Sequence, residues 1–275
     1  MHAYLVLDVF TDTPLEGNQL AVFTDGSGLS DERMQKAARE LNLSETVFVL
    51  PPEQGGDARI RIFTPGLELP FAGHPVLGTA KVVAERDGLD VVRLETGMGL
   101  VRVALADGFG RMEQPIPTWS PYDSEAELVA ALGCHGSTLP VEAYVNGPRY
   151  VYVGLEREQD VAALRPDFRM LGELLGETGA VPFAGSGSRW KMRMFVPGAG
   201  VAEDPATGSA AGPLGVHLAR HGRIGFGEEI QVAQGAEIGR PSRLHVRVEG
   251  SPERIERVEV GGHAVLVARG EYRLE

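Results

Sequence analysis

Two stretches of this chain repeat each other. RIRIFTPGLELPFAGHPVLGTAKVV at 59–83 runs through a strand of alternating basic and apolar residues, then Phe-x-Pro-Gly. A loop with an acid follows, and then a glycine–polar pair opening an apolar helix. KMRMFVPGAGVAEDPATGSAAGPLGVHLA at 191–219 follows the same course, with Gly208-Ser209 standing where Gly73-His74 stood, an offset of 135 residues. A second pair, LETGMGLVRVAL at 94–105 and VAQGAEIGRPSRLHVRV at 232–248, comes in the same order at a similar offset. In-register repetition at about half the length of a 275-residue chain is the mark of a duplicated domain. The reading is therefore α+β: two pseudo-symmetric domains of one course, each expected to wrap its strands around its own apolar helix.

The local signals agree. Ala3–Phe10, Thr46–Leu50, Ala58–Thr64, Val91–Glu95 and Leu100–Leu105 are strand candidates, β-branched or alternating with period two. Met34, Ala37, Ala38 and Leu41 lie on one face of a helix capped by Ser30 and stopped by Asn42. From Pro75 to Arg86 the polar face is narrow, so this helix is expected to be buried on most sides. Its counterpart is expected at Gly212–Arg220, because Pro213 cannot return a helical bond to Ser209. PIPTWSPYDSE at 115–125, with three prolines, is the linker candidate. The domains are then 1–116 and 117–264, with a final strand at 265–275 returning to the first.

Composition narrows the function. A net charge of −12 without a clustered basic patch argues against nucleic acid. No apolar window reaches the roughly 20 residues of a membrane span, and Asp8 interrupts the first apolar run, which makes a poor signal peptide. Cys134 is the only cysteine, so no intramolecular disulfide forms and a reducing cytoplasm is expected.

The stretch EDPATGSAAGPLG at 203–215 places an acid pair beside a run of small residues before a helix. A helix start offers unpaired N–H groups and a partial positive charge, which suits a carboxylate, and glycine lets a ligand approach the backbone. If pseudo-twofold packing brings both helix starts to one cleft, His74 and Asp204 arrive there together. Glu45, flanked by apolar Leu43, Val47 and Phe48, is the third acid–base candidate. Each has a plain structural alternative: His74 an N-cap, Asp204 a capping acid, Glu45 a solvated strand end.

Asp8-Val9-Phe10, Gly17-Asn18, Leu43-Ser44-Glu45-Thr46, Phe71-Ala72-Gly73-His74-Pro75 and Glu203–Ala210 resemble the signature blocks of the PhzF-like phenazine biosynthesis family, within the diaminopimelate epimerase fold superfamily. The resemblance implies that each domain is a curved antiparallel sheet forming a half-barrel around a central helix. It also implies that the chain is an isomerase moving a proton on a small carboxylate-bearing substrate in the cleft between domains, with no metal and no organic cofactor. It implies a catalytic Glu45, with His74 and Asp204 contacting substrate, and Gly73 and Ser209 receiving the carboxylate through their amides. Asn18 and Gly208 complete the substrate-binding set, and a homodimer is expected from the same resemblance. The superfamily's racemases use two cysteines, which a chain with Cys134 alone cannot supply. The other reading is a catalytically silent small-molecule binding protein that keeps the same cleft.

Overall fold

The computed structural model describes residues 1–274. The chain divides into two compact units, Met1–Glu113 with the segment from Gly261 onward, and Gln114–Val260.

The first unit holds β1 (His2–Val9), β2 (Asn18–Phe23), α1 (Asp31–Leu41), β3 (Glu45–Leu50), β4 (Ala58–Phe63), β5 (Glu68–Leu69), α2 (Gly73–Asp87), β6 (Val91–Thr96), β7 (Gly99–Ala106) and β8 (Phe109–Gln114). The strand order is β1-β2-β3-β4-β6-β7-β8, with β5 beside β4. Residues 264–272 pair antiparallel with β1, and Gly261 passes so close to Gly110 that an added Cβ would sit 2.8 Å from its carbonyl oxygen. The sheet thus curls into a barrel, with α2 packed against β1, β2, β3, β6 and β7. Its residues from Gly73 to Ala80 are all buried, as a helix apolar on most sides requires. It starts two residues ahead of the expected Pro75, whose missing N–H costs nothing in a first turn. Outside the sheet, α1 lays Met34, Ala37 and Ala38 on Phe23, Phe48 and Phe63, with Ser30 and Asn42 as its caps.

The second unit holds β9 (Thr118–Pro121), α3 (Glu125–Leu132), β10 (Glu142–Val145), β11 (Arg149–Gly154), α4 (Glu158–Ala163), α5 (Phe168–Leu175), β12 (Gly179–Ser186), β13 (Arg189–Met192), α6 (Gly208–Arg220), β14 (Glu229–Gln234), β15 (Ser242–Ser251) and the start of β16 (Arg254–Tyr272). Its strand order is β9-β10-β11-β12-β13-β14-β15-β16. One core, around Leu128, Val151, Leu171 and Phe195, joins α3, α4 and α5 to the sheet. On α6 every residue from Gly208 to Ala219 is buried.

The expected antiparallel sheets are in fact mixed. Strands β2 and β3, β4 and β6, β11 and β12, and β13 and β14 pair in parallel. The cause is connectivity: at each of these places a helix carries the chain back before the next strand is laid down, which leaves the two strands pointing the same way. Both units run through the same pairing series: antiparallel, antiparallel, parallel, antiparallel, parallel, antiparallel. The first unit does so from residues 264–272 through β1 to β7, the second from β9 to β15.

Two further expectations are corrected. The proline-rich stretch is a linker only in part, because Thr118–Pro121 forms an outer strand of the second unit, paired with β10. Proline is tolerated on a strand whose other edge needs no ladder donor. Second, α6 begins at Gly208 and not at Gly212, with Pro213 inside it. The lost bond falls in the second turn, and the carbonyls flanking it have side-chain donors. Gln114 Nε2 donates to Gly208 O at 2.9 Å, and Tyr152 Oη donates to Ala210 O at 2.7 Å. Donors from outside the helix make the interruption affordable.

Candidate active site

In the first unit the site grows from the loop between β1 and β2. Phe10 and Leu15 both take positive φ, 65° and 71°, and Asp8 Oδ2 accepts the Leu15 N–H at 2.7 Å. Gly17, at φ 66°, crosses the end of β1 so closely that a Cβ would stand 2.4 Å from Val9 O. Only glycine passes there. This loop delivers Asn18, fully buried, as the first residue of β2. Glu45 opens the neighbouring β3, opposite Leu20 of β2.

His74 is the second residue of α2, and its Nε2 stands 3.1 Å from Glu45 Oε2, with side-chain exposures of 4% and 15%. Burial drives the imidazole pKa down to about 3, opposed only by a hydrogen bond to the backbone of Gln19. His74 is therefore neutral at working pH, held by the strand that carries Asn18 and close to the Glu45 carboxyl. The start of α2 is buried yet has no side-chain cap and no acid in its first turn, and Gly73 is its first residue. Buried, uncapped amides of this kind suit an anion from outside the chain.

The low value carries a stability consequence. Between about pH 6.5 and pH 3 the unfolded chain binds a proton at position 74 that the folded chain refuses. Stability is then complete above 6.5 and falls with acidification by up to about 1.4 kcal/mol per pH unit from this residue. His74→Gln is expected to flatten that acid limb in urea titrations run from pH 7 to pH 4; an unchanged slope would contradict the assignment.

In the second unit Asp204, Gly208 and Ser209 lie on the loop into α6 and its first turn. Thr207 is the N-cap residue but makes no side-chain cap bond, and the helix again has no acid in its first turn. Asp204 Oδ2 accepts from Thr207 Oγ1. Ser209 Oγ lies 2.7 Å from Tyr150 Oη, both residues being buried. Glu203, the first acid of the motif, has a structural task. It accepts two bonds from Arg193, at 2.8 and 2.7 Å, and Arg193 also donates to the carbonyls of Val161 and Leu164. Sequence reading missed this anchor, and also Gln234, whose side chain holds the same loop.

Among the described residues, Glu142, His217 and His221 form the group whose ligand atoms converge within 4.8 Å, as a metal would need. The set fits a charge network better. Glu142 Oε2 also accepts from Arg220 at 2.8 Å and from Tyr144 at 2.9 Å, so a guanidinium already neutralises it. Burial works against the Glu142 charge, yet these partners hold its carboxyl far below the usual range, while burial pushes His217 down.

Residues 7–270 match the family described as phenazine biosynthesis-like protein. The chain is 54% identical to the trans-2,3-dihydro-3-hydroxyanthranilate isomerase of Pseudomonas aeruginosa over 275 residues, covering 98% of this chain and 99% of that one. The crystal structure of a Bacillus anthracis phenazine biosynthesis protein of the PhzF family superposes with a TM-score of 0.88 at 27% identity, covering 99% of both chains. At 14% identity and a TM-score of 0.72, a probable proline racemase from Agrobacterium radiobacter, covering 100% of this chain and 94% of its own, shares the fold alone. Fold and relatives together define an isomerase. The chain belongs to the phenazine biosynthesis-like family, PhzC-PhzF. The alternative of a catalytically silent binding protein is set aside by these isomerase relatives. Among the described residues no helix is long and apolar enough to cross a membrane.

Proposed function

We propose that this isomerase acts on trans-2,3-dihydro-3-hydroxyanthranilate or a close carboxylate-bearing ring relative, moving one proton between ring carbons without a cofactor. The observation that carries the reading is the pair of Glu45 Oε2 and a neutral, buried His74 Nε2, 3.1 Å apart beside an uncapped helix start. Glu45 takes the proton from one carbon. The anion that develops is stabilised by fixed donors, and the same carboxyl returns the proton to another carbon. Substrate and product share one formula, so neither oxidant nor reductant is consumed. His74, held neutral, orients substrate and the Glu45 carboxyl, and Asp204 accepts from a polar group of the substrate. Asn18, Gly73, Gly208 and Ser209 complete the proposed binding set.

The matched pairing series supports reading the two units as copies of one duplicated module, each wrapped on its own helix. Pairing of two copies and a cytoplasmic place belong to the same proposal, on the strength of the family resemblance. The test is turnover in heavy water. Incubated with trans-2,3-dihydro-3-hydroxyanthranilate in D₂O, the protein is expected to give an isomer of the same composition carrying carbon-bound deuterium, seen by proton NMR. Unchanged substrate, with no exchange after many equivalents of enzyme time, would overturn this choice of substrate.

A further inference from the structure

Gln234 closes β14 and is 1% exposed. Its Nε2 donates to Asp204 O at 2.7 Å and to Thr207 Oγ1 at 3.0 Å, while its Oε1 accepts the Thr207 N–H at 2.9 Å. The amide orientation is forced. Flipped, its NH₂ would face the Thr207 N–H, and its oxygen would face the Asp204 carbonyl, leaving donor against donor and acceptor against acceptor. Because a primary amide nitrogen only donates, Thr207 Oγ1 is an acceptor towards Gln234. The one hydroxyl proton of Thr207 is then committed to Asp204 Oδ2. A hydroxyl committed as donor needs an acceptor oxygen opposite it and so fixes the carboxylate's rotamer.

We infer that Gln234 and Thr207 are positioning residues for Asp204: together they lock its carboxylate in one orientation as an acceptor for a polar group of the substrate. The inference rests on the placing of Asp204 in the substrate site made above. Neither residue touches the reacting atoms; both act through Asp204.

The test is a double-mutant cycle on kcat/KM with trans-2,3-dihydro-3-hydroxyanthranilate, using Thr207→Val, Thr207→Ser and Asp204→Asn, with melting temperatures measured for each. Thr207→Val is expected to lower kcat/KM about 10- to 100-fold, the loss of an orienting hydrogen bond, while Thr207→Ser restores most of the rate. In the Asp204→Asn background the valine substitution should cost less than about 3-fold, since the group it positions is already altered. Wild-type activity in Thr207→Val beside an impaired Asp204→Asn would overturn the positioning role and leave the site reading standing. Equal losses in the valine and serine variants, tracking a lowered melting temperature, would also overturn it, since a structural role does both. An Asp204→Asn variant with undiminished kcat/KM would overturn the site reading itself, and this inference with it.

Discussion

Replacing Glu45 by glutamine is expected to lower solvent-deuterium wash-in by at least about 100-fold while leaving substrate affinity within a few-fold of wild type. The amide keeps the shape of the side chain and removes only the proton acceptor. The alternative base is His74, which an unperturbed imidazole pKa would recommend. Its position argues otherwise. Almost completely buried at a helix start, with its pKa pushed down to about 3, His74 is held neutral, which suits a hydrogen-bonding role better than that of proton carrier. Its neutral ring is suited to orienting the carboxyl 3.1 Å away. Proton NMR of wild type and variant under single-turnover conditions separates the two assignments. Near wild-type exchange in Glu45→Gln would move the proton to His74 or Asp204.

Glu203→Ala, one residue from Asp204, is expected to act on stability and not on chemistry. Glu203 and Arg193 are 6% and 7% exposed in their side chains, and they meet through two bonds. Removing the carboxylate leaves a buried guanidinium against the face of Phe195, 4.8 Å from its centroid, with no anion. Breaking a buried pair from one side costs about 3–5 kcal/mol, a large share of the 5–15 kcal/mol that holds a domain together. Urea denaturation followed by circular dichroism reads this directly. A loss under about 1 kcal/mol would show the pair to be no more than a surface contact in energetic terms. Activity per folded molecule should stay near wild type, in contrast to Asp204→Asn, so two adjacent acids of one motif are assigned by two different assays.

Local physics made much of the fold legible. Ser30 and Asn42 act as the caps their side chains favour, and the spacing of Met34, Ala37 and Ala38 selects the face that α1 buries. The near absence of a polar face from Pro75 to Arg86 announced a helix buried on most sides, and α2 packs against five strands. The offset of 135 residues between the two Gly-polar pairs matches the starts of α2 and α6, at Gly73 and Gly208. These features depend on neighbours a few residues apart or on repetition within the chain, so one sequence contains them.

What lies far apart in sequence had to wait for the tertiary structure. Parallel pairing of β2 with β3 follows from the way α1 returns the chain, which no period in either strand records. The helical place of Pro213 depends on donors from Gln114 and Tyr152, remote in sequence from the residues they satisfy. Glu45 and His74 could each be named as candidates, but their 3.1 Å contact and the burial that keeps His74 neutral exist only once β3 and α2 are packed. Nothing local to Gln234 or Arg193 marks them as keepers of the Asp204 loop, because a hydrogen-bond partner is chosen by proximity in space and by what burial leaves unsatisfied. The sequence by itself determined most of the helices and strands and the chemistry on offer. Which groups face one another, and with what charge, was decided by packing, because both depend on distance and on exclusion of water.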